Sequence, residues 1–96
     1  MSSTLNLEYT MEAAVLSPPR HIGNVFMMLA EEVGEVATAI NRPEKAPEPL
    51  LGELADVINC VLDLYYLEYG TTDLTMLDEA IKAKTGKWRR KVGVPE

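Results

Sequence analysis

Two short groups of acidic side chains carry most of the chemistry that this chain could perform. The first is E-E-x-x-E at Glu31, Glu32 and Glu35, and the second is E-x-x-D at Glu53 and Asp56. Side chains three residues apart project from nearly the same face of an α-helix, so each group brings two carboxylates together. Desolvating such anions without a partner is costly. Oxygen-only ligands select a hard cation, so the pattern predicts a site for Mg²⁺, with Mn²⁺ as the alternative.

The other interpretation is that both groups form an ordinary solvated face. Acids on such a face commonly pair with a basic residue four positions later on the same helix. In this chain the residues at those four positions are apolar or a cysteine: Val36, Ala39, Val57 and Cys60. The acids therefore lack a local cation, which favours a shared metal ion over the solvated face.

Helices are predicted to position both groups. Apolar residues at three- and four-residue spacing predict helices over residues 5–16, 20–40 and 48–69, and a fourth helix that begins at Thr72 or Thr75. A Ser-Pro-Pro run ends the first helix, and three prolines make residues 41–49 a loop. Gly70 is placed to end the third helix in a left-handed cap. Because no alternating pattern predicts a strand, the fold class is all-α.

Length and charge limit the class of protein further. With 96 residues, the chain is predicted to be one domain over residues 1–96, with a core over about 20–91. A net charge of −6 argues against a nucleic-acid partner. No apolar stretch reaches the roughly 20 residues that cross a bilayer, so no membrane partner is expected. Residues 1–9 show no secretion signal, and Cys60 is the single cysteine, so the cytoplasm is the expected location.

The acidic groups and their surroundings resemble those of a known enzyme family. The matching runs are LAEEVGEV at residues 29–36, a proline-containing linker, GELADV at residues 52–57, and a basic end to the fourth helix. Together they resemble the MazG-like all-α nucleoside triphosphate pyrophosphohydrolases, relatives of the dimeric dUTPases, dCTP pyrophosphatases and phosphoribosyl-ATP pyrophosphatases. The resemblance implies a four-helix domain whose bundle is completed by oligomerisation, as a homodimer or homotetramer. It also implies Mg²⁺-dependent conversion of an NTP or dNTP to the monophosphate and pyrophosphate, in nucleotide-pool house-cleaning.

The resemblance also implies roles for individual residues. The expected metal ligands are Glu32, Glu35, Glu53 and Asp56. Glu31 is expected to act either as an outer partner of these ligands or as the catalytic base that orients the attacking water.

Substrate contacts are expected from Lys84, Asn59 and Trp88. The basic segment that contains Lys84 could instead compensate the dipole of a helix C-terminus. Many relatives carry Asn where this chain has Trp88, so an anchoring role in the core or in an interface is the alternative for that side chain.

A different class of function remains open from the sequence. A helical dimer could bind a nucleotide or metal without turnover, as a regulatory or assembly module. Within the enzyme class, a different pyrophosphate substrate such as phosphoribosyl-ATP is the alternative.

Overall fold

The fold is all-α, as predicted. The computed structural model describes residues 4–95, in which there are four α-helices, one 3₁₀ turn and no strand. The helices are α1 (Glu8–Leu16), α2 (Ile22–Asn41), α3 (Leu50–Tyr69) and α4 (Thr75–Lys91), and the 3₁₀ turn is Pro43–Lys45. Residues 1–3 and 96, which belong to the predicted domain, lie outside the described residues.

Polar side chains set the beginnings of the helices, which differ slightly from the prediction. Helix α1 begins three residues later than expected, after the Asn6 side chain accepts a hydrogen bond from the Glu8 amide at 3.1 Å. The ring of His21 accepts from the Gly23 amide at 2.9 Å, so α2 begins at Ile22 rather than at residue 20. Gly70 ends α3 with φ of 66°, which confirms the left-handed cap.

The sequence allows α4 to begin at Thr72 or at Thr75, and the structure decides between them. The Asp73 carboxylate accepts hydrogen bonds from both the amide and the hydroxyl of Thr75, at 2.9 and 2.6 Å. These bonds favour the charged carboxylate and lower the pKa of Asp73. Helix α4 therefore begins at Thr75, with a carboxylate beside its N-terminus.

The body of the molecule is an antiparallel hairpin of α2 and α3, against which α1 packs. A small core joins α1 to α3 through Met11, Leu62 and Tyr65. Leu74 and Leu77, at the beginning of α4, pack against the same core. The Tyr65 hydroxyl donates to the Asp73 carbonyl at 2.6 Å, which fixes the connection between α3 and α4.

An ion pair holds α1 on α3. The Arg20 guanidinium binds both carboxylate oxygens of Asp63 on α3, with Nε to Oδ2 at 3.0 Å. The same guanidinium donates to the Ala14 and Pro18 carbonyls at 3.0 and 3.1 Å, at the end of α1. We call this arrangement the Arg20 clamp. Its hydrogen bonds to Asp63 raise the pKa of Arg20, so the guanidinium remains charged.

Beyond its first turns, α4 extends away from the body. Ile81 and Trp88, which lie on the same helix face as Leu77, are 52% and 67% exposed. Within the described residues, no helix combines the length and the hydropathy that a bilayer-crossing segment needs.

Candidate metal centre

Four carboxylates from α2 and α3 meet between the two helices of the hairpin. Glu32, Glu35, Glu53 and Asp56 each offer one oxygen, and these four oxygens all lie within 4.8 Å of one another. A single Mg²⁺ bound at about 2.1 Å spans oxygens up to about 4.2 Å apart. The four oxygens lie close to that span, so they suit either one ion after small rotamer changes or two ions that share carboxylates. We call this group the acid cluster.

Glu53 is the most unusual member of the acid cluster. It is fully buried, and neither of its carboxylate oxygens has a hydrogen-bond partner among the described residues. Oε2 of Glu32 is buried and unpartnered in the same way. Buried carboxylate oxygens are normally satisfied. Unsatisfied oxygens on two neighbouring acids therefore indicate that a cation could bind between them.

The electrostatics of the acid cluster agree with this geometry. Burial, together with a hydrogen bond to Glu35 and the charge of that residue, raises the pKa of Glu32 to about 7. Burial also raises the pKa of Glu53, with the carboxylates of Glu35 and Glu48 adding to the effect. Helices α2 and α3 contain no Lys or Arg, so neither helix supplies a neutralising charge. Both shifts favour the protonated carboxyl when no cation lies nearby.

The other residues expected in the site lie in three different places. Glu31 is exposed on α2 and stands outside the acid cluster. Asn59 lies one turn beyond Asp56, and its Oδ1 accepts a hydrogen bond from the Thr10 hydroxyl at 2.7 Å. Lys84 and Trp88 are exposed on the part of α4 that leaves the body. Within one chain, the four expected metal ligands therefore lie together, whereas the expected substrate contacts Lys84 and Trp88 do not lie beside them.

The structure also places near the site residues that the sequence did not single out. Thr10 and the Arg20 clamp bring α1 against the face of α3 that continues from Asp56. The signal was present in part, since Asn59 and Asp63 follow Asp56 at helical spacing. Their partners are more than 40 residues away along the chain, so no local pattern could identify them.

The fold and the acid cluster define a small all-α protein with four carboxylates gathered between two helices. The model of the MazG nucleotide pyrophosphohydrolase domain matches residues 22–92 of the chain, which include all of α2, α3 and α4. The chain therefore belongs to the MazG nucleotide pyrophosphohydrolase domain family, whose general activity is nucleotide pyrophosphohydrolysis. Searches of curated proteins and of solved structures found no match.

Proposed function

We propose that this protein is a Mg²⁺-dependent nucleoside triphosphate pyrophosphohydrolase. It converts an NTP or dNTP to the monophosphate and pyrophosphate, as house-cleaning of the nucleotide pool in the cytoplasm. The observation that carries the proposal is the acid cluster, in which buried Glu53 has no partner for either oxygen. The family match supports a nucleotide as the substrate.

Each acid has a role in this proposal. Glu32, Glu35, Glu53 and Asp56 would hold the divalent ions. When bound, such ions neutralise phosphate charge and acidify a water molecule. We assign to Glu31, which precedes Glu32 in the sequence and is exposed, the role of the base that accepts the proton of an attacking water. The water oxygen then bonds to the α-phosphorus while the bond to the bridging oxygen breaks, and pyrophosphate leaves.

The phosphate chain needs further positive charge, and α4 is the richest source of it. Six of the nine basic residues of the chain lie on this helix, among them Lys84. We propose that Lys84 contacts phosphate and that Trp88 lies at the substrate or at a subunit interface. The exposed part of α4 extends away from the hairpin of its own chain. These side chains therefore reach an acid cluster only if α4 lies against a second copy of the chain and the cluster is that of the second copy.

The hairpin has an uncovered apolar face that supports self-association. This hairpin face consists of Phe26, Val33 and Ile40 on α2 and of Leu51, Leu54, Ile58 and Val61 on α3. Its side chains are 39–80% exposed, and they lie about a third of a turn round each helix from the acid cluster. A soluble monomer rarely leaves so large an apolar surface uncovered. We propose that two hairpin faces pack together into a four-helix bundle, giving at least a homodimer.

The oligomeric state of the protein and of its variants tests whether the hairpin face is a subunit interface. Leu54→Asp and Ile58→Asp should convert the oligomer to monomers in analytical ultracentrifugation. Leu16→Asp is the matched control, because Leu16 is 85% exposed on α1. A wild-type protein that sediments as a monomer at micromolar concentration would show that the face has another use.

The enzymatic proposal is tested with a panel of NTPs and dNTPs in Mg²⁺, scoring pyrophosphate against orthophosphate. Release of pyrophosphate is expected from at least one nucleotide, and Glu53→Gln should abolish it. Glu68→Gln is the matched control, since Glu68 is an exposed acid near the other end of α3. Tight nucleotide binding without any product over hours would instead identify a non-catalytic regulatory or assembly module. Wild-type rates in Glu53→Gln would refute the ligand assignment.

A further inference from the structure

Glu48 is a further carboxylate near the acid cluster, and it belongs to neither of the two acidic groups of the sequence. It lies between Pro47 and Pro49, immediately before α3 begins at Leu50. It is not one of the four acids whose oxygens lie within 4.8 Å of one another, and it is exposed. Glu48 therefore lies outside the acid cluster, at the solvent-exposed beginning of α3.

The side chain of Glu48 folds back over the first turn of α3. A Cβ at position 52 would lie 2.8 Å from Cδ of Glu48 and closer still to its Oε1. The carboxylate therefore occupies space that is free only because residue 52 is Gly. Gly52 directly precedes Glu53, so this close approach brings the Glu48 carboxylate to the part of α3 that carries the buried acid.

The charge of Glu48 acts on Glu53 across this short distance. Burial raises the pKa of Glu53 most, and among the charges near it those of Glu35 and Glu48 have a larger effect than that of Asp56. The interaction of two charges weakens with distance, so Glu48 lies close to Glu53. Among residues 4–95, no Lys or Arg forms an ion pair with Glu48. Two like charges therefore lie together with no cationic side chain of the described chain between them.

A helix N-terminus also attracts carboxylates, but that attraction explains this arrangement poorly. The amides of Gly52 and Glu53 already donate to the Pro49 carbonyl at 3.0 and 3.3 Å, so they do not need the Glu48 carboxylate. The backbone is restrained as well, because each proline fixes its own φ and Pro49 restricts the residue before it. Glu48 is therefore held where its charge is unfavourable unless a cation lies between it and Glu53.

We propose that Glu48 is an outer ligand of the cation site, which binds a water molecule of the ion that Glu53 holds, and that Gly52 keeps the space for it. The proposal rests on the proposed function, because the acid cluster must hold a divalent ion. Buried Glu53, with both oxygens unpartnered, indicates where such an ion would bind. Mg²⁺ keeps several of its waters in protein sites, so a carboxylate just outside the acid cluster can reach one of them.

The main test measures the Kd of Mn²⁺ from the EPR signal of the free ion, with Mg²⁺ as the competitor. Glu48→Gln removes the charge and keeps the shape, so it should raise the Kd about tenfold, the lower end of the loss that outer ligands give. Gly52→Ala leaves every acid in place but displaces the Glu48 carboxylate, so it should raise the Kd about threefold or more. The double variant should bind no more weakly than Glu48→Gln, because both changes remove one contact.

Two variants are matched controls for these changes. Gly34→Ala alters a helical glycine that also precedes an acid of the cluster, Glu35, but a Cβ there meets no atom within 4 Å. Glu44→Gln removes an exposed acid from the same connection between α2 and α3. Both controls should keep the wild-type Kd, and thermal unfolding should show that every variant is folded.

Turnover gives a second readout that separates ion binding from catalysis. Glu48→Gln should need about tenfold more Mg²⁺ for its half-maximal rate, and it should reach the wild-type rate when Mg²⁺ is saturating. A low rate that saturating Mg²⁺ does not restore would refute the role of an outer ligand.

The outcomes separate this proposal from the proposed function. A wild-type Kd in Glu48→Gln would refute the role of Glu48 and leave the proposed function standing. A weakened Kd in Glu48→Gln but not in Gly52→Ala would support the role of Glu48 and refute that of Gly52. Weakened binding in both variants of a protein that releases no pyrophosphate would support the proposal and overturn the proposed activity. A wild-type protein that binds neither ion, with or without a nucleotide, would overturn the acid cluster as a metal site and the role of Glu48 with it.

Discussion

The Arg20 clamp leads to a sharp prediction about stability. Arg20→Met keeps most of the length of the side chain but removes every donor, so the end of α1 loses its attachment to α3. It also leaves Asp63 without its cation, on the face of α3 that carries Asp56. Both changes are expected to destabilise the folded protein rather than alter its fold.

The magnitude follows from the bonds that are lost. A hydrogen bond that involves a charged group contributes about 1.5–3 kcal/mol. The side chains of Arg20 and Asp63 are 20% and 23% exposed, so solvent screening reduces the contribution of the pair. We therefore expect Arg20→Met to lower the free energy of unfolding by about 2 kcal/mol. For a domain of this size, that loss corresponds to a fall in Tm of roughly 8–16 °C.

The effect is measured by thermal and urea unfolding at one protomer concentration, with three variants: Arg20→Met, Asp63→Asn and the double variant. The two single changes should be non-additive, with a coupling of about 1–2 kcal/mol. The control is Lys82→Met, which removes the pair that Lys82 forms with Asp78 at 3.0 Å. Those side chains are 76% and 60% exposed, so the loss should stay within about 0.5 kcal/mol. A loss in Arg20→Met no larger than in Lys82→Met would show that the clamp does not hold α1.

Three further predictions concern the acid cluster and the glycines. Glu53→Gln removes a buried charge and supplies a hydrogen-bond donor to Glu35, so it should raise the Tm of the metal-free protein at pH 8. The same change should abolish the increase in Tm that Mg²⁺ gives. An unchanged response of the Tm to Mg²⁺ would contradict the metal site. With the pKa of Glu32 raised to about 7, the folded metal-free protein keeps a proton that the unfolded chain loses near pH 4.5. The stability of the protein in EDTA should therefore fall as pH rises from 4.5 to 7 and level off above 7, and Glu32→Gln should flatten this profile in thermal unfolding. Gly70→Ala should lower the free energy of unfolding by about 1–2 kcal/mol, because φ of Gly70 is 66°. Gly34→Ala should raise the free energy of unfolding by about 1 kcal/mol, because a Cβ at Gly34 meets no atom within 4 Å and alanine favours the helix. Urea unfolding measures both changes.

The amino-acid sequence by itself determined the helices and the family. Helical spacing of apolar residues, prolines between them and Gly70 at a helix end are local features, and the backbone responds to them locally. The same periodicity showed that Glu32 and Glu35 share a face, as do Glu53 and Asp56. That these two pairs would meet was a hypothesis about packing, and their assignment as metal ligands stays a prediction.

Only the tertiary structure decided which distant side chains meet. It placed the four acids of the cluster within 4.8 Å, buried Glu53 without a partner, and put Asn59 beside Thr10. It also showed that α4 carries Lys84 and Trp88 away from the acid cluster of the same chain. Such contacts join residues far apart along the chain, and they depend on how helices pack against one another. Local propensity does not encode that packing, because each helix would have nearly the same sequence signal in several different arrangements.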